Sequence, residues 1–219
     1  MFKYTLVFNL IFFLPTPVDA VTAPFVGNKL NGLPCEGNPQ GHGPFDYIHR
    51  QTFKHDLFLV ESAHFTPDVE NLVKGNTGES PTGDLMYTLR AWPNHHRALF
   101  SVIRLQLDIN KKITKYKLEI PPECYFQRAI HYSPKDPVIY SLFGFFLRKI
   151  GRLDEALKYY EKSIELDPEN AKTAYSFSLL LIDLKRFEDA VKYAKVAYKN
   201  GQPPKGLKQK LEKLGVWSE

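Results

Sequence analysis

The feature that most constrains this chain is that it repeats itself. Residues 137–170 form a 34-residue unit in which Tyr140, Phe143, Gly144 and Leu147 stand at places 4, 7, 8 and 11. Ala156, Tyr160, Ser163 and Pro168 follow at places 20, 24, 27 and 32. Residues 171–204 keep the scheme, with Phe177, Ser178, Leu181, Phe187, Ala190, Ala194 and Ala197 at places 7, 8, 11, 17, 20, 24 and 27. Their closing proline is displaced to Pro203 and Pro204. A period of this length marks a supersecondary unit that cannot bury its apolar face alone and must stack on its neighbours.

The pattern resembles the tetratricopeptide repeat (TPR) family, in which small residues at places 8, 20 and 27 let two antiparallel helices approach closely and a proline at place 32 ends the second helix. In Gly151-Arg152-Leu153-Asp154-Glu155-Ala156 the resemblance gives the turn into that helix, with Asp154 and Glu155 favourably near its positive end. Pro134 serves as place 32 of an earlier unit, residues 93–134, with Phe126 at 24 and Ala129 at 27. That unit is 42 residues long, so the surplus falls in a basic loop between Asp108 and Pro122 that holds Lys111, Lys112, Lys115 and Lys117. Pro122 stands where alanine is expected. Residues 205–219 supply a capping helix and tail, with Leu207, Leu211 and Leu214 on one face. The expected fold is mainly α: a stack of about three helical hairpins over residues 93–204, preceded by a small α+β module over residues 21–92.

The module is read as strand, helix, strand. Asp56 to Phe65 and Asp84 to Ala91 look extended, the latter because Leu85, Tyr87 and Leu89 alternate with Met86, Thr88 and Arg90, a period of two. Between them Thr66 to Gly75 has a Thr cap, Pro67 in first position, early acids and a closing glycine, the marks of a short helix. The blocks Gly43-Pro44-Phe45-Asp46-Tyr47, His64-Phe65-Thr66-Pro67 and Pro93-Asn94-His95-His96-Arg97-Ala98-Leu99, ahead of such repeats, resemble exported bacterial TPR proteins.

The first 20 residues support export. Lys3, an apolar run from Leu6 to Leu14 broken by Asn9, and Val18 and Ala20 before a cleavage point make a secretory signal. The run is shorter than the roughly 20 apolar residues a spanning helix needs. The expected location is outside the cytoplasm, periplasmic in a bacterium, the alternative being an uncleaved inner-membrane anchor. Export also allows Cys35 and Cys124 to form a disulfide; otherwise both stay unpaired, Cys124 simply buried.

Composition excludes little beyond a polytopic membrane protein. Mean hydropathy is −0.31, and a net charge of +5 does not call for nucleic acid. Six of the seven histidines (His42, His49, His55, His64, His95 and His96) precede residue 100, yet none forms the H-x-x-x-H pair that supplies two metal ligands from one helix face. His95, His96 and Arg97 are read as capping and packing residues. Glu61, His64, Asp68 and Glu70 could gather in space, but acids around a short helix ordinarily cap it. No G-x-S-x-G, H-E-x-x-H or phosphate loop is present. No enzyme, cofactor or metal is therefore expected; the alternative is an envelope enzyme or metal-binding protein using the His-rich module.

What the resemblance implies is an adaptor that holds a partner protein or peptide in a groove lined by the first helix of each repeat. The family's groove places fall on Val138, Ser141, Phe145, Arg148 and Lys149, then on Lys172, Tyr175, Leu179, Ile182 and Asp183. Aromatic rings beside cations suit a segment bearing acidic side chains. The alternative for Phe145 and Tyr175 is packing against the N-terminal module. Lys111, Lys112, Lys115 and Lys117, with the basic cap, could meet anionic headgroups, though a charge run is ordinarily a solvated face; membrane contact is expected to be peripheral at most.

Overall fold

The computed structural model describes residues 22–217, so the expected export signal lies outside the described residues. Among these residues the helices are α1 (Lys54–His64), α2 (Pro67–Glu70), α3 (Pro81–Ala91), α4 (His96–Asn110) and α5 (Pro122–Tyr132). They continue with α6 (Pro137–Lys149), α7 (Leu153–Leu166), α8 (Ala171–Asp183), α9 (Phe187–Asn200) and α10 (Gly206–Lys213).

The faithful units close as helical hairpins, α6 on α7 and α8 on α9. A Cβ on Gly144 would lie 2.9 Å from the Tyr160 ring, so only glycine lets α6 approach α7 this closely. Ser163 and Ser178 are buried without loss because each hydroxyl donates to a carbonyl of the facing helix, Pro137 O at 2.8 Å and Ala190 O at 2.7 Å. Asp136 and Asn170 cap the first helices, accepting from the amides of Val138 at 3.0 Å and Thr173 at 3.0 Å.

The preceding hairpin is α4 on α5, joined by residues 111–121. Pro122 is tolerated because it is the first residue of α5, where a missing N–H costs nothing. α5 therefore starts late and has 11 residues where α7 and α9 have 14.

The N-terminal α+β module is not what folds. Both expected strands are helices, α1 and α3, and no strand occurs among the described residues, only an isolated Asn28–Pro34 bridge. In α3 the buried set is Pro81, Asp84, Leu85, Thr88, Leu89 and Ala91, a spacing of three and four that is helical. Leu85 and Leu89 fit both periods; Asp84 and Thr88, polar yet fully buried, decide between them. Ser80 accepts from the Thr82 amide and Pro81 follows it, a helix start that outweighs the short alternation. α1 and α3 run antiparallel: His64, ending α1, bonds Asp84 in the first turn of α3, while Val60 packs with Ala91 and Trp92. The short helix between them is a single turn, and Leu72 rather than Gly75 takes the left-handed conformation after it, with φ of 61°.

One apolar core runs from Phe65 and Val69 through Leu99, Phe126, Phe146 and Leu181 to Leu207 and Leu211. Leu207 and Leu211 of α10 close its far end, while Leu214 is exposed. At the near end the segment before α1 is tied down twice. Cys35 is bonded to Cys124 at the start of α5, with Cα atoms 5.4 Å apart. Beside it the buried Arg128 donates to the carbonyls of Ala23, Leu89 and Arg90 and to Gln40 Oε1, with its guanidinium over the Phe25 ring. Among the described residues no carboxylate answers this cation, and burial pulls its pKa down to about 10.

Candidate functional site

The first helices of the three successive hairpins, α4, α6 and α8, share one face, and a hollow of about 640 Å³ opens along it. Its walls are His96 and Phe100 from α4, Val138, Ser141, Leu142 and Phe145 from α6, and Lys172, Thr173 and Ser176 from α8. Among the described residues none before His96 lines it, so α1–α3 do not fill this hollow. A second hollow of about 510 Å³ lies alongside, between Lys172, Tyr175 and Ser176 and the loop from Asn200 to Pro204.

Four of the residues expected in the groove, Val138, Ser141, Phe145 and Lys172, are brought together in the first hollow, and Tyr175 faces the second. Lys149 sits over the Phe145 ring at 5.4 Å. Arg148 is not available to a ligand in the same sense, since Asp183 pairs with it at 2.7 Å and Lys210 approaches Asp183 from α10 at 3.7 Å. Ile182 is buried in the core and Leu179 packs half-buried against it. Lys172 is exposed and has no ion partner among the described residues.

His96 and Phe100 are groove residues that sequence reasoning missed. Phe100 is 40% exposed and its ring centre lies 6.0 Å from that of Phe145. A signal for both was present: the residue before each first helix is its cap, and aligning His95 with Asp136 and Asn170 puts His96 level with Pro137 and Ala171. Counting instead from Pro93 shifts the register by three residues.

A buried polar network fixes this wall. Asn94, fully buried, donates to Asp46 at 2.7 Å and to Asp136 at 2.9 Å, and its oxygen accepts from the Tyr47 amide at 2.9 Å. Asp136 holds His96 Nε2 at 2.7 Å and Ser133 donates to Asp46 at 2.9 Å. His95 faces the other way: its Nδ1 accepts the Ala98 amide at 3.1 Å, so Nε2 carries the proton and donates to Glu61 at 3.0 Å. Burial pushes the His95 pKa down against the pull of Glu61, and the hydrogen bond from His95 lowers Glu61 in turn.

Glu61, His64, Asp68 and Glu70 do not gather into one site. Glu61 and Glu70 share Arg97, with Glu61 also bonded to His95, while His64 and Asp68 pair elsewhere, with Asp84 and Lys74. Burial works to raise the Asp84 carboxyl, but hydrogen bonds from Thr77, His64 and Asn76 outweigh it and hold the group below its usual range. Among the described residues no group of three or more His, Cys, Asp and Glu side chains is placed to hold a metal ion.

Residues 137–170 match the tetratricopeptide repeat family model. That match covers 34 of the 219 residues. Solved structures similar to it include that of MamA, 20% identical over 75% of this chain and 87% of that one, with a TM-score of 0.46. Another is YrrB, described as a TPR protein with an unusual peptide-binding site, 20% identical over 72% and 70% with a TM-score of 0.43. A third is PilF of Pseudomonas aeruginosa, 14% identical over 77% and 86% with a TM-score of 0.30. No curated protein matches the chain. No helix among the described residues is long and apolar enough to cross a membrane.

Proposed function

We propose that this protein is an exported, non-enzymatic TPR adaptor, periplasmic in a bacterium, that grips a partner protein or peptide in the hollow between α4, α6 and α8. Its role would be to support assembly or stability of a cell-envelope complex. The observation that carries the reading is a preformed wall built from three successive first helices. There, the Phe100 and Phe145 rings lie side by side, with the unpaired Lys172 across the hollow. Aromatic surface gives contact area at low entropic cost, and a cation at its edge favours a segment with acidic side chains. The Cys35–Cys124 bond supports export, since disulfides persist outside the reducing cytoplasm.

The test is recovery of partners from envelope extracts of the native host. Wild-type chain is compared with a Phe145→Ala/Lys172→Glu variant whose melting temperature is shown to match. Partner proteins should be recovered by the wild type and lost by at least tenfold with the variant. Equal recovery by both chains would remove the hollow as the docking site. Export is tested separately, by whether the chain is found cleaved and outside the cytoplasm.

A further inference from the structure

Three helix ends among the described residues, after α2, α4 and α8, close on a left-handed residue that is not glycine, and in the first two an exposed apolar residue follows it. When a helix closes on a left-handed residue, that residue is usually glycine, and the apolar residue after it usually packs back on the helix's last turn. The end of α10 obeys: Gly215 N–H donates to Glu212 O at 2.9 Å and Val216 N–H to Leu211 O at 3.1 Å. Leu211 is buried there, and Val216 packs half-buried against the core. After α2 the same bonds run from Leu72 to Val69 O at 3.1 Å and from Val73 to Asp68 O at 2.9 Å. After α4 they run from Lys112 to Ile109 O at 3.0 Å and from Ile113 to Asp108 O at 3.1 Å.

In both, the left-handed residue carries a side chain, Leu72 at φ 61° and Lys112 at φ 59°, at a steric cost of roughly 1–2 kcal/mol each. The partner of the following apolar residue is an aspartate. Val73 and Ile113 are consequently left 60% and 67% exposed. The two ends are neighbours in space although 40 residues apart, because Tyr116 Oη donates to Val73 O at 2.8 Å and Lys115 pairs with Glu79. The first loop is braced from behind by Asp84, which accepts the amides of Asn76 at 2.7 Å and Thr77 at 3.1 Å.

Residues 71–78 and 110–117 together hold five lysines, Lys74, Lys111, Lys112, Lys115 and Lys117, and no carboxylate. Asp68 and Glu79 pair with Lys74 and Lys115; Lys111, Lys112 and Lys117 have no ion partner among the described residues. We infer that this double tip is a docking point for an anionic lipid bilayer, with Val73 and Ile113 entering the headgroup boundary while the lysines meet lipid phosphates. Charge complementarity names the occupant, and the pattern separates a bilayer from a protein partner. Protein interfaces centre on aromatic and arginine anchors and are depleted in lysine, whereas aliphatic residues ringed by long lysines suit a lipid surface. The groove and the tip are separate surfaces, so an adaptor could hold a partner while resting on a membrane.

The test is flotation of the full chain with vesicles of phosphatidylcholine alone or with 30% phosphatidylglycerol. Wild-type chain is compared with three variants: Val73→Ser/Ile113→Ser, Lys111→Gln/Lys112→Gln/Lys117→Gln, and a charge-matched control, Lys158→Gln/Lys185→Gln/Lys199→Gln. The wild type should bind the anionic vesicles more tightly than the neutral ones. At about fivefold per lysine, the tip lysine variant should lose about 100-fold in partitioning, and the serine variant at least fivefold. The control should bind within about twofold of the wild type. Circular dichroism checks that each chain is folded, and Ile113→Ser alone replaces the double serine variant if that one is not. Equal binding to both vesicle types, equal loss in the control, or wild-type affinity in the serine variant would each overturn the inference. So would tip lysines that matter only for capture of an acidic protein.

Discussion

Single residues set how closely these helices lie, and Gly144 is the sharpest case. The site demands glycine for space: a Cβ there would meet Tyr160 ring carbons at 2.9 and 3.0 Å, and Tyr160 is itself fully buried. Its ring cannot retreat, because it is stacked against Phe177 with centres 5.6 Å apart. Gly144→Ala gains some helix propensity, about 1 kcal/mol, yet must prise α6 from α7, and overpacking of this kind costs about 1–3 kcal/mol. The expected outcome is a net loss of up to about 2 kcal/mol in urea unfolding, with no change in charge. A variant as stable as the wild type would mean that the hairpin can open without penalty. Residues such as Gly144, Ala156 and Ser163 were legible in the sequence because their smallness recurs at fixed places. Arg128 was not: its role depends on carbonyls from Ala23, Leu89 and Arg90, which no local pattern announces.

Elements were legible where several signals agree, and misread where one short signal was taken alone. In α7 the acids at the start, the small buried residues and the terminating proline all point to one helix. In α3 the alternation of Leu85, Tyr87 and Leu89 imitated a strand, although Ser80-Pro81 announced a helix and the buried Asp84 finds its partners only through the fold. α4 shows a third case, since its cap is a histidine, His95, which lacks the usual hydroxyl or carboxylate of a capping residue. That choice makes α4 sensitive to acid. His95 Nδ1 can accept the Ala98 amide only while it is unprotonated, and its surroundings are Glu61 from α1, Arg97 and His96 from α4, and the rings of Tyr47 and Phe65. Its folded pKa lies below the ordinary histidine value, first through burial, so the unfolded chain binds the proton more readily. Stability from this group is therefore complete above about pH 6.5 and is lost as pH falls toward the folded pKa, at no more than about 1.4 kcal/mol per pH unit. His95→Asn keeps a capping acceptor without the titration. Urea midpoints measured from pH 8 to pH 5 should fall more steeply for the wild type than for the variant, and parallel curves would remove His95 as the cause. Glu61, whose pKa is lowered by its bond to His95, contributes its own loss only at lower pH, near and below the ordinary carboxylate range.

At the scale of the whole molecule, the stack is a chain of neighbour contacts, and its two open ends are closed differently. α10 closes one end by burying Leu207 and Leu211. At the other, the described part of the segment before α1 has only a 3-10 turn at Tyr47–His49 and an isolated Asn28–Pro34 bridge, and its start is held by the Cys35–Cys124 bond and by Arg128. These two ties act on different states. The disulfide closes a loop across 89 residues, which in the chain-entropy model restricts the unfolded chain by roughly 4–5 kcal/mol, whereas Arg128 acts in the folded state by donating to the carbonyls of Ala23, Leu89 and Arg90. Replacing both cysteines by serine should therefore lower stability by about 3–5 kcal/mol while leaving the segment docked. Urea unfolding separates these effects, since the midpoint reports stability and the slope reports the surface exposed on unfolding. The expected result is a lower midpoint with a slope that does not fall. A lower slope would mean that the segment has already left α3 and α5 in the folded protein, so that Arg128 alone cannot hold it. An unchanged midpoint would mean that the bond contributes nothing to this end of the stack.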